Sequence, residues 1–257
     1  MSEDVFLRYG AYYDLLYRDK DYAGEAAYVA RTLRAAAAGV RKVLELGSGT
    51  GRHGRLLAEE GLDVLGVERS ETMVNAARNS SSPLSRSGSF ECIHGDIRTV
   101  ALGRTFDAVI ALFHVVSYQT DNEDVRLTFA SALRHLPEGG LFLFDVWHGP
   151  AVLSERPSVR VKRMEDNATM LTRIAEPELD TNSSVVTVRY TMLAESKGDG
   201  RLTTFQEEHR MRYFFPVEIE LLAEQSGFLV ERREEYLTGK PASEQTWGVA
   251  YLLRKRA

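Results

Sequence analysis

Apolar and polar positions divide the chain into two regimes. In the first, short apolar runs alternate with stretches of helical spacing. An apolar run at residues 43–46 stops at Gly47, Gly49 and Gly51, and apolar positions resume at helical spacing over 52–60, which reads as strand, tight glycine turn, helix. Ahead of it, Asp21 is placed to cap a helix through the alanine-rich stretch to about Ala38, ended by Gly39. After it, Gly61 breaks the pattern, residues 63–68 form the next strand, and Ser70 caps a helix carrying Met73, Ala76 and Ala77. A serine-rich loop at 80–89, strands at 90–94 and 106–113, a helix at 125–135 and a strand at 141–147 continue the series. Strand and helix repeated in this way predict a doubly wound α/β protein with a parallel sheet and helices on both faces.

In the second regime, from about Ser158 to Tyr213, alternation dominates. Val186, Val188, Tyr190 and Met192 fall on one face while Thr187, Arg189 and Thr191 fall on the other, and Lys197 to Gly200 reads as a hairpin turn. Three or four antiparallel strands are therefore expected as an inserted lobe. Pro216 then opens a helix to Gln225, ended by Gly227, and strands at 228–236 and 246–255 finish the chain. The expected division is an α/β core with an N-terminal lid, residues 1–157 and 214–257, and a lobe at 158–213.

Composition narrows the setting. A chain of 257 residues that is 44% hydrophobic and 27% charged is ordinary globular material. Its net charge of -5 gives no electrostatic reason to expect a nucleic acid or an anionic membrane as partner. Cys92 is the single cysteine, so no internal disulfide can form. The first residues lack a basic region followed by an apolar core, no apolar run is long enough to span a bilayer, and the expected location is the cytoplasm. Monomer and homodimer are both left open.

Candidate chemistry begins at the glycine turn. Gly49, Gly51 and Gly54 satisfy the dinucleotide fingerprint, in which a helix N-terminus faces a pyrophosphate. Glu45 argues for another ligand, because a carboxylate behind the loop repels a pyrophosphate and attracts an ammonium group. S-adenosylmethionine carries an α-amino group, a sulfonium and no phosphate. Glu68, closing the next strand about 20 residues on, can accept from both ribose hydroxyls, and both cofactor readings expect an acid there. Arg69 follows it, and Met73 either lies on the adenine face or fills core. Asp96 can accept the adenine amine while a neighbouring backbone N–H, at Ile97, donates to the ring.

Glu45-x-Gly47-x-Gly49-x-Gly51, Glu68 with S-E-T-M, and G-D-I at 95–97 resemble the class I S-adenosylmethionine-dependent methyltransferases over roughly the first 150 residues. That resemblance implies a Rossmann-like sheet. Three further segments, Y-D-L-L-Y with K-D-Y at 13–22, D-V-W-H at 145–148 and E-E-H-R-M-R-Y-F-F at 207–215, look like the N-methyltransferases that dimethylate the amino group of nucleotide-linked deoxysugars. By this resemblance Tyr13 and Tyr22 contact the cofactor, and Tyr118 falls where a family member carries a histidine near the amine. Two departures bear on the substrate: His148 replaces an aromatic residue, and a phosphate-contacting arginine has no match between Thr238 and Thr246.

Methyl transfer needs alignment and exclusion of water, and an amine nucleophile needs only to be unprotonated. The strand-end rule places the acceptor beside His114, Tyr118, Trp147 and His148, roofed by a lobe that carries His209 and Arg210 or Arg212. Tyr118 or a histidine is the expected orienter or base, although each histidine has an equally ordinary structural reading. The lobe arginines are either phosphate ligands or a solvated face, and the five tyrosines Tyr9, Tyr12, Tyr13, Tyr17 and Tyr22 either pack the leading segment or form a lid. No spacing suggests a metal site. The alternatives are a small-molecule O-methyltransferase, an NAD-dependent oxidoreductase, and a binding protein without catalysis.

Overall fold

The computed structural model describes residues 9–79 and 88–257. Residues 1–8, and 80–87 of the expected serine-rich loop, lie outside it. The chain opens with a 3₁₀ turn, Tyr9–Tyr12, and a short helix α1, Tyr13–Leu16, followed by α2, Tyr22–Ala36. Asp21 caps α2 by accepting the Gly24 N–H at 2.9 Å. Then come β1 Lys42–Leu46, α3 Arg52–Glu59, β2 Asp63–Glu68, α4 Glu71–Asn79, β3 Ser89–His94, β4 Ala108–Ala111, α5 Asn122–Arg134 and β5 Leu141–His148. A helix α6, Gly149–Ser154, leads into β6 Arg160–Glu165, β7 Thr169–Asp180, β8 Val185–Ser196 and β9 Leu202–Phe214. The chain closes with α7 Pro216–Gln225, β10 Phe228–Glu235 and β11 Gly248–Lys255.

The parallel strands run β3-β2-β1-β4-β5, and the sheet continues through β11, antiparallel to β5, to β10. Strand order reverses between β1 and β4, and in a doubly wound sheet ligands bind at that switch point, outside the carboxyl ends of the strands. Both faces are covered. Phe142, Phe144, Phe228 and Tyr251 pack with Phe129 of α5 and Ile219 of α7, while Val43 and Ile110 pack with Val29 and Leu33 of α2 and Leu57 of α3. Full burial on both faces is why these strands read as apolar runs rather than alternating ones.

Strands β6 to β9 form an antiparallel meander whose register is continuous. Past Phe144, the last residue pairing β4 with β5, β5 acquires β9 as a parallel neighbour through Trp147–Tyr213 and His148–Phe214. Those two rungs hang the lobe over the carboxyl ends of the parallel strands. Part of its apolar face, Val186, Val188 and Tyr213, packs with Trp147 of β5. Leu171, Met192, Ala194 and Phe205 cover Tyr9 and Leu16, so the N-terminal segment lies beneath the lobe.

Strand β4 is shorter than expected at both ends. Asp107 leaves the ladder to accept the Arg41 and Lys42 backbone N–H groups, and Phe113 and His114 take left-handed φ values of 63° each. Helix α6 was not anticipated, since six residues opened by Gly149-Pro150 carry no helical pattern.

Candidate active site

A cavity of about 800 Å³ lies over the β1/β4 switch point, large enough for a cofactor and a small acceptor together. One end is built by the loop after β1. Gly47 has φ 71°, and a Cβ there would lie 2.6 Å from Val115, so only glycine fits. Glu68 holds this loop, its two carboxylate oxygens accepting the Gly49 N–H at 3.0 Å and the Ser70 N–H at 2.8 Å. The Gly49 amide is thereby engaged with a carboxylate rather than open to a phosphate. That observation disfavours a pyrophosphate on the loop.

Gly47, Gly49, Glu68, Arg69, Met73, Asp96, Ile97, Tyr13 and Tyr22 all line the cavity. Gly51 lies behind it, the left-handed cap of α3, packed on Phe90 and Ala77. The Arg98 guanidinium grips Asp96 at 2.5 to 3.2 Å, holds its carboxyl below the usual range and ties it to Asp124. Asp96 is therefore fixed in place and ionised.

Glu45 is corrected. It is 1% exposed and absent from the cavity wall. Burial, with Glu68 adding repulsion, pushes its carboxyl up to about 8, so at neutral pH it is mostly uncharged. It contacts α3 at Gly54 instead of meeting a ligand, and charge attraction of an ammonium is not its role.

Parity along the strands decides the acceptor side. The wall there comprises Phe113, His114, Val115, Tyr118, Gln119 and Trp147, with Tyr190 and Met211 reaching down from the lobe. Ser117 in the 3₁₀ turn Val116–Tyr118 accepts the Trp147 N–H at 3.1 Å and so sets Tyr118 at the rim of β5. The Tyr118 hydroxyl shares a hydrogen bond of 3.0 Å with His209 Nδ1, and Nε2 of that ring lies 3.4 Å from Glu207. Removal from bulk water pushes the Tyr118 phenol well above its ordinary value, so it stays neutral and acts as a hydrogen-bonding group. His209 stands behind Tyr118 and does not line the cavity.

Three expectations fail here. His148 follows Trp147 and therefore points to the opposite side of β5. It is buried, its Nδ1 bonds the Thr246 carbonyl at 3.1 Å, and burial pushes it below its ordinary value. Arg210 alternates with His209 and Met211, so it is exposed on the outer face of the lobe. Arg212 shares that parity and is paired with Glu218 and with Asn122 at 2.8 Å, away from the cavity.

Other residues carry more than their sequence context suggested. Arg173 bonds the Tyr9 hydroxyl at 2.8 Å and lies 5.0 Å from the Tyr190 ring, making a phenol-lined cluster above the cavity. Asp14 accepts from Thr50 and pairs with Arg52, both at 3.0 Å, which fastens the N-terminal segment to the glycine loop. Asp145, 0% exposed, lies 2.6 Å from His114 Nδ1 and also accepts the His114 backbone N–H at 3.1 Å. An acid inside the apolar run L-F-L-F-D-V-W was the available signal for it. Two consecutive left-handed non-glycine residues, each costing about 1–3 kcal/mol, hold His114 in that place. Among the described residues no cluster of histidine, cysteine and carboxylates could hold a metal ion, and no helix is long and apolar enough to cross a membrane.

Comparison with known proteins adds to this geometry. Residues 43–140 match the model of a methyltransferase domain. A dTDP-3-amino-3,4,6-trideoxy-alpha-D-glucopyranose N,N-dimethyltransferase of Streptomyces venezuelae is 30% identical over 90% of this chain and 92% of its own length. A dTDP-4-amino-2,3,4,6-tetradeoxy-D-glucose N,N-dimethyltransferase of Saccharopolyspora spinosa is 28% identical over 89% of this chain and 87% of its own. The solved structure of Streptomyces venezuelae DesVI, 25% identical, superposes with a TM-score of 0.79 over 98% of this chain and 99% of that one.

Proposed function

Because the chain belongs to the class I S-adenosylmethionine-dependent methyltransferases, we propose that its acceptor is the amino group of a nucleotide-linked deoxysugar. The observation that carries this reading is the continuity of the cavity. One space of about 800 Å³ joins the glycine loop to Tyr118, Trp147, Tyr190 and Met211, and similarity to a sugar N,N-dimethyltransferase extends over 90% of this chain, well beyond the methyltransferase domain alone.

The residues present fit the cofactor. Gly47 leaves no Cβ between loop and cavity, Glu68 offers carboxylate lone pairs beyond the two it uses on backbone N–H groups, and Asp96 is ionised. Tyr13 and Tyr22 would close the loop end, and Met73 the adenine side. When bound, S-adenosylmethionine supplies an electrophilic methyl group on a sulfonium, displaced in line. The chain itself must then hold the acceptor amine on that line and keep water out. Tyr118, braced by His209, would orient the amine by a hydrogen bond. Trp147, Tyr190, Phe113 and Met211 make the surrounding wall apolar.

Incubation with S-adenosylmethionine and a panel of dTDP-linked 3-amino and 4-amino deoxysugars, simple amines and phenols, read by mass spectrometry, tests this. A gain of one and then two methyl groups on an amino sugar is expected. Methylation confined to phenols would overturn the amine assignment.

A further inference from the structure

We propose that His114, oriented by Asp145, is the proton acceptor for the amine, a role distinct from that of Tyr118 as orienter; this rests on the amino-acceptor reading above. An amino sugar is largely an ammonium ion at neutral pH, with no lone pair to offer. Its proton must go somewhere before the nitrogen can attack. Of the three histidines singled out by position, His114 alone lines the cavity; His148 faces the Thr246 carbonyl and His209 lies behind Tyr118.

The geometry of His114 is that of an oriented base. Its Nδ1 faces a fully buried carboxylate at 2.6 Å, and its own backbone N–H donates to the same carboxylate oxygen. Burial by itself would raise Asp145, but the His114 charge and hydrogen bonds outweigh it and hold the carboxyl below its usual range. An ionised Asp145 favours the tautomer of neutral His114 with its proton on Nδ1, which leaves the lone pair on Nε2. The ring neighbours Phe113 and Trp147, with centroids at 5.6 and 6.2 Å. The left-handed backbone at residues 113 and 114 turns the chain out of β4 to make this placement.

The proton balance is simple. The N–H bond of the ammonium breaks, the Nε2–H bond forms, and the freed pair stays on the acceptor nitrogen for attack. Imidazolium and Asp145 then form an ion pair, and the proton passes to solvent between turnovers. A second methylation repeats the step on the monomethylated amine. Other groups face this pair. Lys20 lies 4.4 Å from the Phe113 ring and pulls Asp145 down, Glu25 pairs with Lys20, Tyr17 packs on Phe113, and Tyr236 is raised chiefly by burial and then by Asp145.

The test compares wild type, His114→Asn and Asp145→Asn. Asparagine tolerates left-handed backbone, so His114→Asn leaves the turn intact. For wild type, kcat/KM for the amino sugar should be level through neutral pH. For His114→Asn it should be about a hundredfold lower at pH 7 and recover roughly tenfold per pH unit as free amine appears. Asp145→Asn should behave similarly and shift the His114 imidazole titration followed by NMR in the protein without ligands. Calorimetric affinity for S-adenosylhomocysteine should be unchanged in His114→Asn. Equal pH profiles for wild type and His114→Asn, or an imidazole titration indifferent to Asp145→Asn, would overturn the proposal. Should wild type methylate only a phenol, the acceptor reading fails, and the same comparison on that phenol shows separately whether His114 takes its proton.

Discussion

At the scale of single residues, Glu45 shows how burial changes the meaning of a motif. Its carboxyl is raised from 4.5 to about 8 in the folded chain, so the native state binds a proton that the unfolded chain has released between those values. Stability from this group is full below about pH 4.5 and is lost as pH rises through 8. At about 1.4 kcal/mol per unit, the difference is on the order of 3–5 kcal/mol. Denaturant unfolding of wild type should therefore weaken from pH 5 to pH 8.5, and Glu45→Gln should flatten much of that slope; parallel slopes would refute the assignment. The motif around Glu45 was legible because glycine has few substitutes where Val115 presses on the loop. The protonation state was not, since it follows from the packing of α3 and from Glu68, neither visible in spacing. Parity explains the other misses. His148 beside Trp147, and Arg210 beside Met211, cannot face the same cavity from a strand, and that rule was available before any coordinates.

At the scale of elements, most strands and helices were legible to within a few residues because buried parallel strands and capped helices leave strong local signals. The exceptions share a cause. The apolar run from Phe106 to Phe113 continues past both ends of β4, because Phe106 and Leu112 are buried by other elements and the pattern reports burial, not pairing. Segment 9–17 was read as either packing or lid, and its contacts join both: Asp14 holds Thr50 and Arg52 at the glycine loop, while Tyr9 donates its N–H to Glu207 at 2.7 Å in the lobe. Limited proteolysis ahead of Asp21 is expected to slow when S-adenosylhomocysteine is added. Asp14→Ala should reduce that protection while costing less than about 1 kcal/mol of global stability, because the pair with Arg52 is well exposed. Unchanged digestion with ligand would show that the segment does not respond to the loop.

At the scale of the whole molecule, the lobe and the parallel sheet meet through two rungs, the N-terminal segment between them and side-chain contacts such as Tyr118–His209 and Arg212–Asn122. Ligand at the glycine loop should therefore reach the lobe without touching most of it. Hydrogen exchange followed by mass spectrometry is predicted to slow in β8 and β9 around Tyr190 and Met211 when S-adenosylhomocysteine binds, with the far hairpin at Lys197–Gly200 unaffected. Protection confined to β1, β2 and the glycine loop would show the two parts to be uncoupled. The attachment itself has a further consequence. A roof whose outer strands stand clear of the parallel sheet can be recut, by changing strand lengths or the side chains that hang from it, while the floor that holds the methyl donor stays untouched. A change of acceptor then requires no change of chemistry, and a lineage carrying this scaffold can explore new sugars at the roof alone.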